Sequence, residues 1–133
     1  MMGYLVVFVG AGVGGAIRHG MNIWVARLMG THFPWHTFVI NIVGSLAMGL
    51  MAGYFAFRGG TGIFGQLSQH WRLFLTTGIL GGFTTFSTFS LDFATLWERG
   101  TMLPAAAYLL VSVGGSLIAV FVGLALARAI FAA

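Results

Sequence analysis

The chain has 133 residues, of which 59% are hydrophobic and only 6% are charged, with a formal net charge of +4. About a quarter of the residues in a typical soluble domain are charged, so this composition excludes an ordinary soluble domain. Cysteine is absent, which excludes disulfide and thiol chemistry. We therefore expect an all-α integral membrane protein in which residues 1–133 form a single domain.

Four long apolar stretches predict four membrane-spanning helices, at approximately 3–28, 35–57, 71–97 and 103–131. A helix needs about 20 mainly apolar residues to cross a bilayer. The first stretch lacks the basic flank of a signal peptide, so we expect it to be retained as a span. The connection 58–70 is rich in glycine, and we expect a flexible loop there. Tryptophans lie near the predicted span ends, as in an interfacial aromatic belt: Trp24, Trp35, Trp71 and Trp97.

The first span contains a glycine pattern that is also found in dinucleotide-binding sites. The stretch "VVFVGAGVGGAIR" places Gly10, Gly12 and Gly15 in the spacing G-x-G-x-x-G. The dinucleotide site also requires an acidic residue about 20 positions later, and the first acid in this chain is Asp92. We therefore interpret these glycines as smooth surface for close helix packing within a membrane.

Polar residues follow one face of the second span and one face of the fourth, at the spacing i, i+4, i+8. A hydroxyl in a membrane helix can bond the carbonyl one turn back, whereas an amide without partners in hydrocarbon costs about 2–7 kcal/mol. The two polar faces therefore either bond each other or line a narrow wet path. They consist of Thr37, Asn41 and Ser45 in the second span, and of Tyr108, Ser112 and Ser116 in the fourth.

The third span is interrupted by "GGFTTFSTFS" at 81–90, which combines two glycines with five hydroxyls and three phenylalanines. Each glycine weakens a helix interior by about 1 kcal/mol relative to alanine, and the hydroxyls can satisfy freed backbone groups. The stretch predicts a broken helix, and the alternative is a simple kink in a packed bundle. Phe86 and Phe89 share a face beside the break, where they either pack, offer positive ring edges to an anion or offer negative ring faces to a cation.

The ionisable residues favour an anion pore over a proton-coupled carrier. The first 91 residues contain no Asp or Glu, so most of the predicted membrane interior lacks the carboxylate that a proton-coupled carrier needs. The remaining interior groups are mainly hydrogen-bond donors, which suit anions. Arg18 lies well inside the first span, where it either snorkels to the interface or attracts anions at a pore vestibule. Weak ligands of this kind would release an ion readily, as conduction requires.

The arginines leave the orientation in the membrane almost undecided. Four spans place Arg58, Arg72 and Arg128 on one side, against Arg27 and Arg99, with Arg18 as a possible third on the other. The positive-inside rule requires a clear excess of Lys and Arg on one side. The chain either inserts in both orientations, which would yield an antiparallel dimer, or follows a bias of a single arginine.

Four segments together resemble the small bacterial fluoride channels called Fluc or CrcB proteins. They are "GGFTTFSTFS" at 81–90, "GGAIR" at 14–18, "TFVIN" at 37–41 and Y-x-x-x-S-x-x-x-S at 108–116. The resemblance runs through all four spans. It implies a dual-topology antiparallel homodimer in the bacterial inner membrane, with two pores that export fluoride passively. Its partners would be fluoride, the lipid bilayer and a second copy of the chain, with no nucleic acid.

The resemblance also assigns residues to the pore. Phe86 and Phe89 match the paired phenylalanines whose edges face fluoride, and Asn41 matches the asparagine that supports them. The polar track would consist of Tyr108, Ser112 and Ser116, with Thr37 as a neighbour.

Two further sites are implied by the resemblance. Arg18 matches the vestibule arginine of the first span. The carbonyls of Gly81 and Thr84, from both copies, would hold a structural sodium ion at the dimer interface. Asp92 occupies a position where the family often has glutamate.

Two other functional classes stay open at this point. A dual-topology multidrug antiporter has a similar size, although it needs a carboxylate in the first span and none is present. A non-transporting assembly subunit would use the glycine faces to hold a partner. We do not expect an enzyme, because no nucleophile–base pair or cluster of metal ligands stands out in the sequence.

Overall fold

The computed structural model describes residues 1–58 and 68–132, and every regular element within them is helical. Most of the predicted loop at 58–70 lies outside the described residues. Its last residues belong to the short helix α3, so the loop ends earlier than predicted. The helices are α1 (Met2–Met29), α2 (Trp35–Arg58), α3 (Ser68–Arg72), a π-helix (Leu73–Leu80), α4 (Gly81–Phe83), α5 (Phe86–Glu98) and α6 (Met102–Phe131).

Three of the described helices, α1, α2 and α6, are long and apolar enough to cross a membrane. Their bounds agree with the predicted first, second and fourth spans to within one residue at each end. The agreement follows from composition, because each helix fills the interval between two polar or glycine-containing connections. The chain is therefore an all-helical, membrane-embedded protein.

The predicted third span is a series of shorter helices, and it is broken as expected. The break does not lie at the glycine pair, because Gly81 and Gly82 remain in the short helix α4. The backbone becomes extended at Thr84 (φ −84°, ψ 158°) and at Thr85 (φ −153°, ψ 124°). Glycine weakens the helix, but the chain leaves the helix at the two residues whose hydroxyls can replace lost backbone bonds.

The helices pack in two close pairs, and glycine makes both possible. α2 lies along α6, where a Cβ at Gly49 would collide with the Val120 carbonyl oxygen. α1 lies along the π-helix and α4, where a Cβ at Gly14 would collide with the Ile79 carbonyl oxygen.

The glycines that pack α1 are not the full set that the sequence suggested. Gly10 and Gly14 contact the broken segment, whereas Gly12 and Gly15 have no described atom within 4 Å of an added Cβ. The working spacing is therefore i, i+4, which is the spacing of one helix face.

Candidate functional site: a groove beside a broken helix

The break is held on its N-terminal side by Thr84. The Thr84 backbone N–H donates to the Leu80 carbonyl at 3.0 Å, and the Thr84 hydroxyl donates to the same oxygen at 2.9 Å. Gly44 of α2 lies directly against this threonine, since an added Cβ would collide with its methyl group. Sequence reasoning missed Gly44, although a glycine between two polar residues of a packed face is a signal for close approach.

Asn41 holds the other side of the break by bonding both backbone groups of one residue. Its Nδ2 donates to the Thr85 carbonyl at 3.2 Å, and its Oδ1 accepts from the Thr85 N–H at 3.1 Å. The predicted difficulty of satisfying an amide in hydrocarbon is met here by a partner 44 residues away. Because both groups of Thr85 are occupied, the extended backbone costs far less than an unpaired break would.

The helix after the break begins with a side-chain cap. The Thr85 hydroxyl oxygen accepts from the Thr88 backbone N–H at 3.2 Å, and the same hydroxyl donates to Thr88 Oγ1 at 3.2 Å. Threonine is a favoured N-cap because its oxygen satisfies one of the free N–H groups in the first turn. The cap fixes where α5 starts, and it therefore fixes the position of Phe86 and Phe89.

Because of these bonds, two backbone carbonyls at the break lose the N–H donors that they would have in a continuous helix. In a continuous helix the Thr85 N–H would bond the Gly81 carbonyl, and the Thr88 N–H would bond the Thr84 carbonyl. Here the first goes to Asn41 and the second goes to the Thr85 side chain. Neither helical bond is therefore available to the two carbonyls, and carbonyl oxygens released at a helix break are suitable ligands for a cation.

A groove of about 440 Å³ runs between α2, the break and α6. Its wall is mainly apolar. Phe86 stands at the edge of the groove with 77% of its surface exposed, whereas Phe89 is 7% exposed. The two ring centroids lie 5.5 Å apart, with the ring planes inclined by 45°. The polar groups on the wall come from Asn41, Ser45, Thr84, Thr85, Ser112 and Ser116.

The two predicted polar faces converge on this groove, although not completely. Asn41, Ser45, Ser112 and Ser116 line it, whereas Thr37 and Tyr108 are buried beside it. The groove wall therefore brings two residues of each face together. They meet because α2 and α6 pack against each other over the largest number of residues in the described part of the chain.

Two buried hydroxyls near the groove have no hydrogen-bond partner among the described residues. They belong to Thr37, which is 1% exposed, and to Ser112, which is 4% exposed. Most buried polar side chains are hydrogen-bonded, so an unpaired hydroxyl calls for an explanation. A free O–H can donate to an anion or to water without first breaking a bond within the protein.

Tyr108 is occupied by a different contact. Its hydroxyl donates to Asp92 Oδ2 at 3.2 Å, and its ring lies against Phe89 with centroids 5.1 Å apart. Sequence reasoning placed Tyr108 in the polar track and left Asp92 without a role. The signal was the helical spacing of Phe89 and Asp92 (i, i+3), which puts the ring and the carboxylate on one face of α5.

The predicted vestibule residue Arg18 and one of the two predicted sodium residues, Gly81, do not line the groove. Arg18 is half-buried on α1, which packs against the π-helix, and its guanidinium makes no ion pair with a described residue. Gly81 is exposed on α4, while Thr84 contributes to the wall. The structure thus brings the predicted phenylalanines, Asn41 and the serines together, and leaves Arg18 and Gly81 outside.

Comparison with known proteins gives matches over almost the whole chain. A family described as "CrcB-like protein, Camphor Resistance (CrcB)" matches residues 5–124. A "Fluoride-specific ion channel FluC" of Rhodopseudomonas palustris (strain BisB5) is 58% identical over 129 residues, which cover 97% of this chain and 99% of the relative.

Other relatives carry the same name. The protein of Methylobacterium nodulans is 59% identical over 128 residues, covering 96% of this chain and 98% of its own. The protein of Mesorhizobium japonicum is 56% identical over 130 residues, which cover 98% of this chain and 99% of the relative.

Proposed function

The chain belongs to the CrcB-like protein family, and from that premise we propose that it is a fluoride-selective channel that conducts passively. The family is one of ion channels and not of enzymes. One observation of the site carries the proposal. A groove bordered by phenyl rings has unpaired hydroxyl donors beside it, and no basic side chain lies on its described wall.

This wall suits a small anion in transit. Fluoride accepts hydrogen bonds strongly, and a hydrogen bond to a charged group contributes about 1.5–3 kcal/mol. The free hydroxyl of Ser112, which lines the groove, would supply such a bond, and the positive edge of Phe86 would add a weaker contact. Because no fixed positive charge holds the ion, it can leave as readily as it binds, which a pore requires.

The large exposed surface of Phe86 supports a second copy of the chain as the other wall of the groove. An exposed aromatic ring beside polar groups would otherwise face lipid. The nearly even distribution of arginines supports insertion in both orientations, and therefore an antiparallel homodimer with one groove per protomer. In this assembly the broken segment from α3 to α5 is the fourth crossing, and the two grooves become two pores.

The two released carbonyls support a structural sodium ion between the copies. Gly81 and Thr84 would each contribute one oxygen from each protomer, which gives four carbonyl ligands. The sodium ion would supply only a fixed positive charge that holds the two breaks together. Asn41 and Thr85 make the site possible, because their bonds withdraw the helical donors from these two carbonyls.

The proposal places the protein in the bacterial inner membrane, where passive efflux would lower cytoplasmic fluoride. Arg18 would lie near the pore mouth and raise the local concentration of anions.

The test of the proposed channel compares Phe86→Ile and Phe89→Ile with Phe121→Ile in purified protein reconstituted in liposomes. Phe121 is exposed on α6 and does not line the groove, so it is a matched control.

We expect Phe86→Ile and Phe89→Ile to lower fluoride efflux at least tenfold, while Phe121→Ile retains the wild-type rate. Isoleucine keeps most of the volume but lacks a ring edge. Wild-type efflux in both groove variants would remove the phenyl rings from the pathway and contradict the proposed site.

A further inference from the structure

A second cavity, of about 530 Å³, lies at the end of the molecule where the α1–α2 connection meets the turn between α5 and α6. It is separate from the groove, since the two share no lining residue. Two glycines with positive φ shape this end. Gly30 (φ 80°) directly precedes Thr31 and His32, and Gly100 (φ 76°) lies between Arg99 and Thr101. Leu96 and Pro104 also line the cavity.

Three of the four polar side chains that line this cavity have no hydrogen-bond partner among the described residues, and all four are exposed. Arg99, His32 and Thr31 make no side-chain hydrogen bond or ion pair with any residue in 1–58 or 68–132. The Thr101 hydroxyl donates to the Leu96 carbonyl at 2.7 Å and is therefore already used. No acidic side chain lines the cavity. The lining therefore combines a permanent positive charge with free donors and includes no carboxylate.

The position of the cavity indicates where its ligand comes from. α1 and α5 end there, and α2 and α6 begin there, so the cavity lies at one end of the membrane-spanning helices. Pro104 lies in the first turn of α6, whose amino-terminal dipole adds to the positive potential. Trp97 and Leu103 are exposed nearby and would contact hydrocarbon and the interface. Basic pockets between membrane helices at this depth bind the phosphates of lipid headgroups.

We propose that this cavity binds the phosphate group of an anionic phospholipid, with the Arg99 guanidinium as its principal ligand. Arginine presents paired N–H donors that match phosphate oxygens, and it remains charged at any physiological pH. Thr31 and His32 complete the donor set. The lipid tails extend along the exposed apolar surface at the start of α6. The inference does not depend on the proposed ion selectivity.

The experiment measures binding of single lipids to the purified protein in detergent by native mass spectrometry. Arg99→Gln is compared with Arg27→Gln, which removes the same charge at the same end but outside the cavity. We expect Arg99→Gln to weaken phosphatidylglycerol binding roughly tenfold, the loss of one charge-assisted hydrogen bond, while Arg27→Gln binds as the wild type does. Arg99→Lys should recover only part of the affinity, because lysine keeps the charge but lacks the paired N–H donors of arginine.

Equal binding of phosphatidylglycerol and phosphatidylcholine by the wild type, or equal loss in both glutamine variants, would overturn the proposal. Competition by inorganic phosphate at millimolar concentration would assign the site to a soluble anion instead, and would overturn the lipid assignment. If Arg99→Gln fails to fold, Thr31→Val and His32→Leu each remove one free donor, and both should weaken lipid binding.

A flux measurement separates this site from the proposed pore. Arg99→Gln in vesicles of phosphatidylcholine alone should release fluoride at the wild-type rate. A loss of efflux that is the same in every lipid composition would mean that the cavity serves the ion path, and would overturn the lipid proposal while leaving the channel proposal intact.

Discussion

Replacement of Asn41 by alanine removes both hydrogen bonds that hold the extended backbone at Thr85. The substitution leaves the Thr85 N–H and carbonyl without their partners at 3.1 and 3.2 Å. An unsatisfied buried polar group costs about 1–3 kcal/mol. The site is only partly buried, and water in the groove can replace part of each bond. We therefore expect the break to lose about 2 kcal/mol of local stability, near the lower end for two groups.

Hydrogen exchange of the purified protein in detergent measures this loss at the affected backbone. A change of about 2 kcal/mol corresponds to roughly 30-fold faster exchange of the amides that depend on the break, including those of Thr85 and Thr88. Fluoride efflux should fall with it, because Phe86 and Phe89 follow directly from the capped start of α5.

Ser45→Ala is the matched control for Asn41→Ala. Ser45 lies one turn further along the same face of α2 and also lines the groove, but its hydroxyl makes no hydrogen bond with a described residue. Its replacement should leave exchange at the break within about 0.5 kcal/mol of the wild type. Unchanged exchange in Asn41→Ala, or the same acceleration in both variants, would refute the argument that Asn41 holds the break.

Three further predictions concern packing, the hydrogen bond to the partly buried Asp92 carboxylate and the interface. Gly14→Ala should lower the free energy of unfolding in detergent by more than 1 kcal/mol, because the added methyl group collides with the backbone. Gly15→Ala, which has open space around it, should be neutral or slightly stabilising. Equal melting temperatures of the two variants would contradict the packing. Tyr108→Phe removes the bond to Asp92 and should cost about 1.5–3 kcal/mol in denaturant unfolding, and a loss below 0.5 kcal/mol would exclude that bond as a stabilising contact. Gly81→Leu has room within the protomer, so it should fold but fail to form a sodium-dependent dimer on size-exclusion chromatography; a normal dimer would count against the cation site.

The helix bounds were predictable because composition alone determines them. α1, α2 and α6 are mainly apolar segments, and each is long enough to cross a bilayer. The break was predictable in kind but not in position. Glycine has a weaker helix propensity than threonine. The helix nevertheless opens at Thr84 and Thr85, because their hydroxyls and the Asn41 amide can bond the backbone groups that the break frees.

The contacts of the site were harder to predict because they join distant parts of the chain. The spacing of Asn41 showed that its amide needed a partner, but not that the partner was the backbone of Thr85. The pairing of Tyr108 with Asp92 likewise depends on how α5 rests on α6, which no periodicity within one helix specifies. Whether a second copy covers Phe86 is a property of the assembly and not of one chain.

The most direct test of the account is ion efflux from liposomes that contain only the purified wild-type protein. Vesicles loaded with fluoride or with chloride, each with a potassium ionophore to balance charge, report release through an ion-selective electrode. The account predicts rapid fluoride release and chloride release no faster than from protein-free vesicles. Equal release of both anions, or release of neither, would contradict a pathway built from phenyl edges and hydroxyl donors.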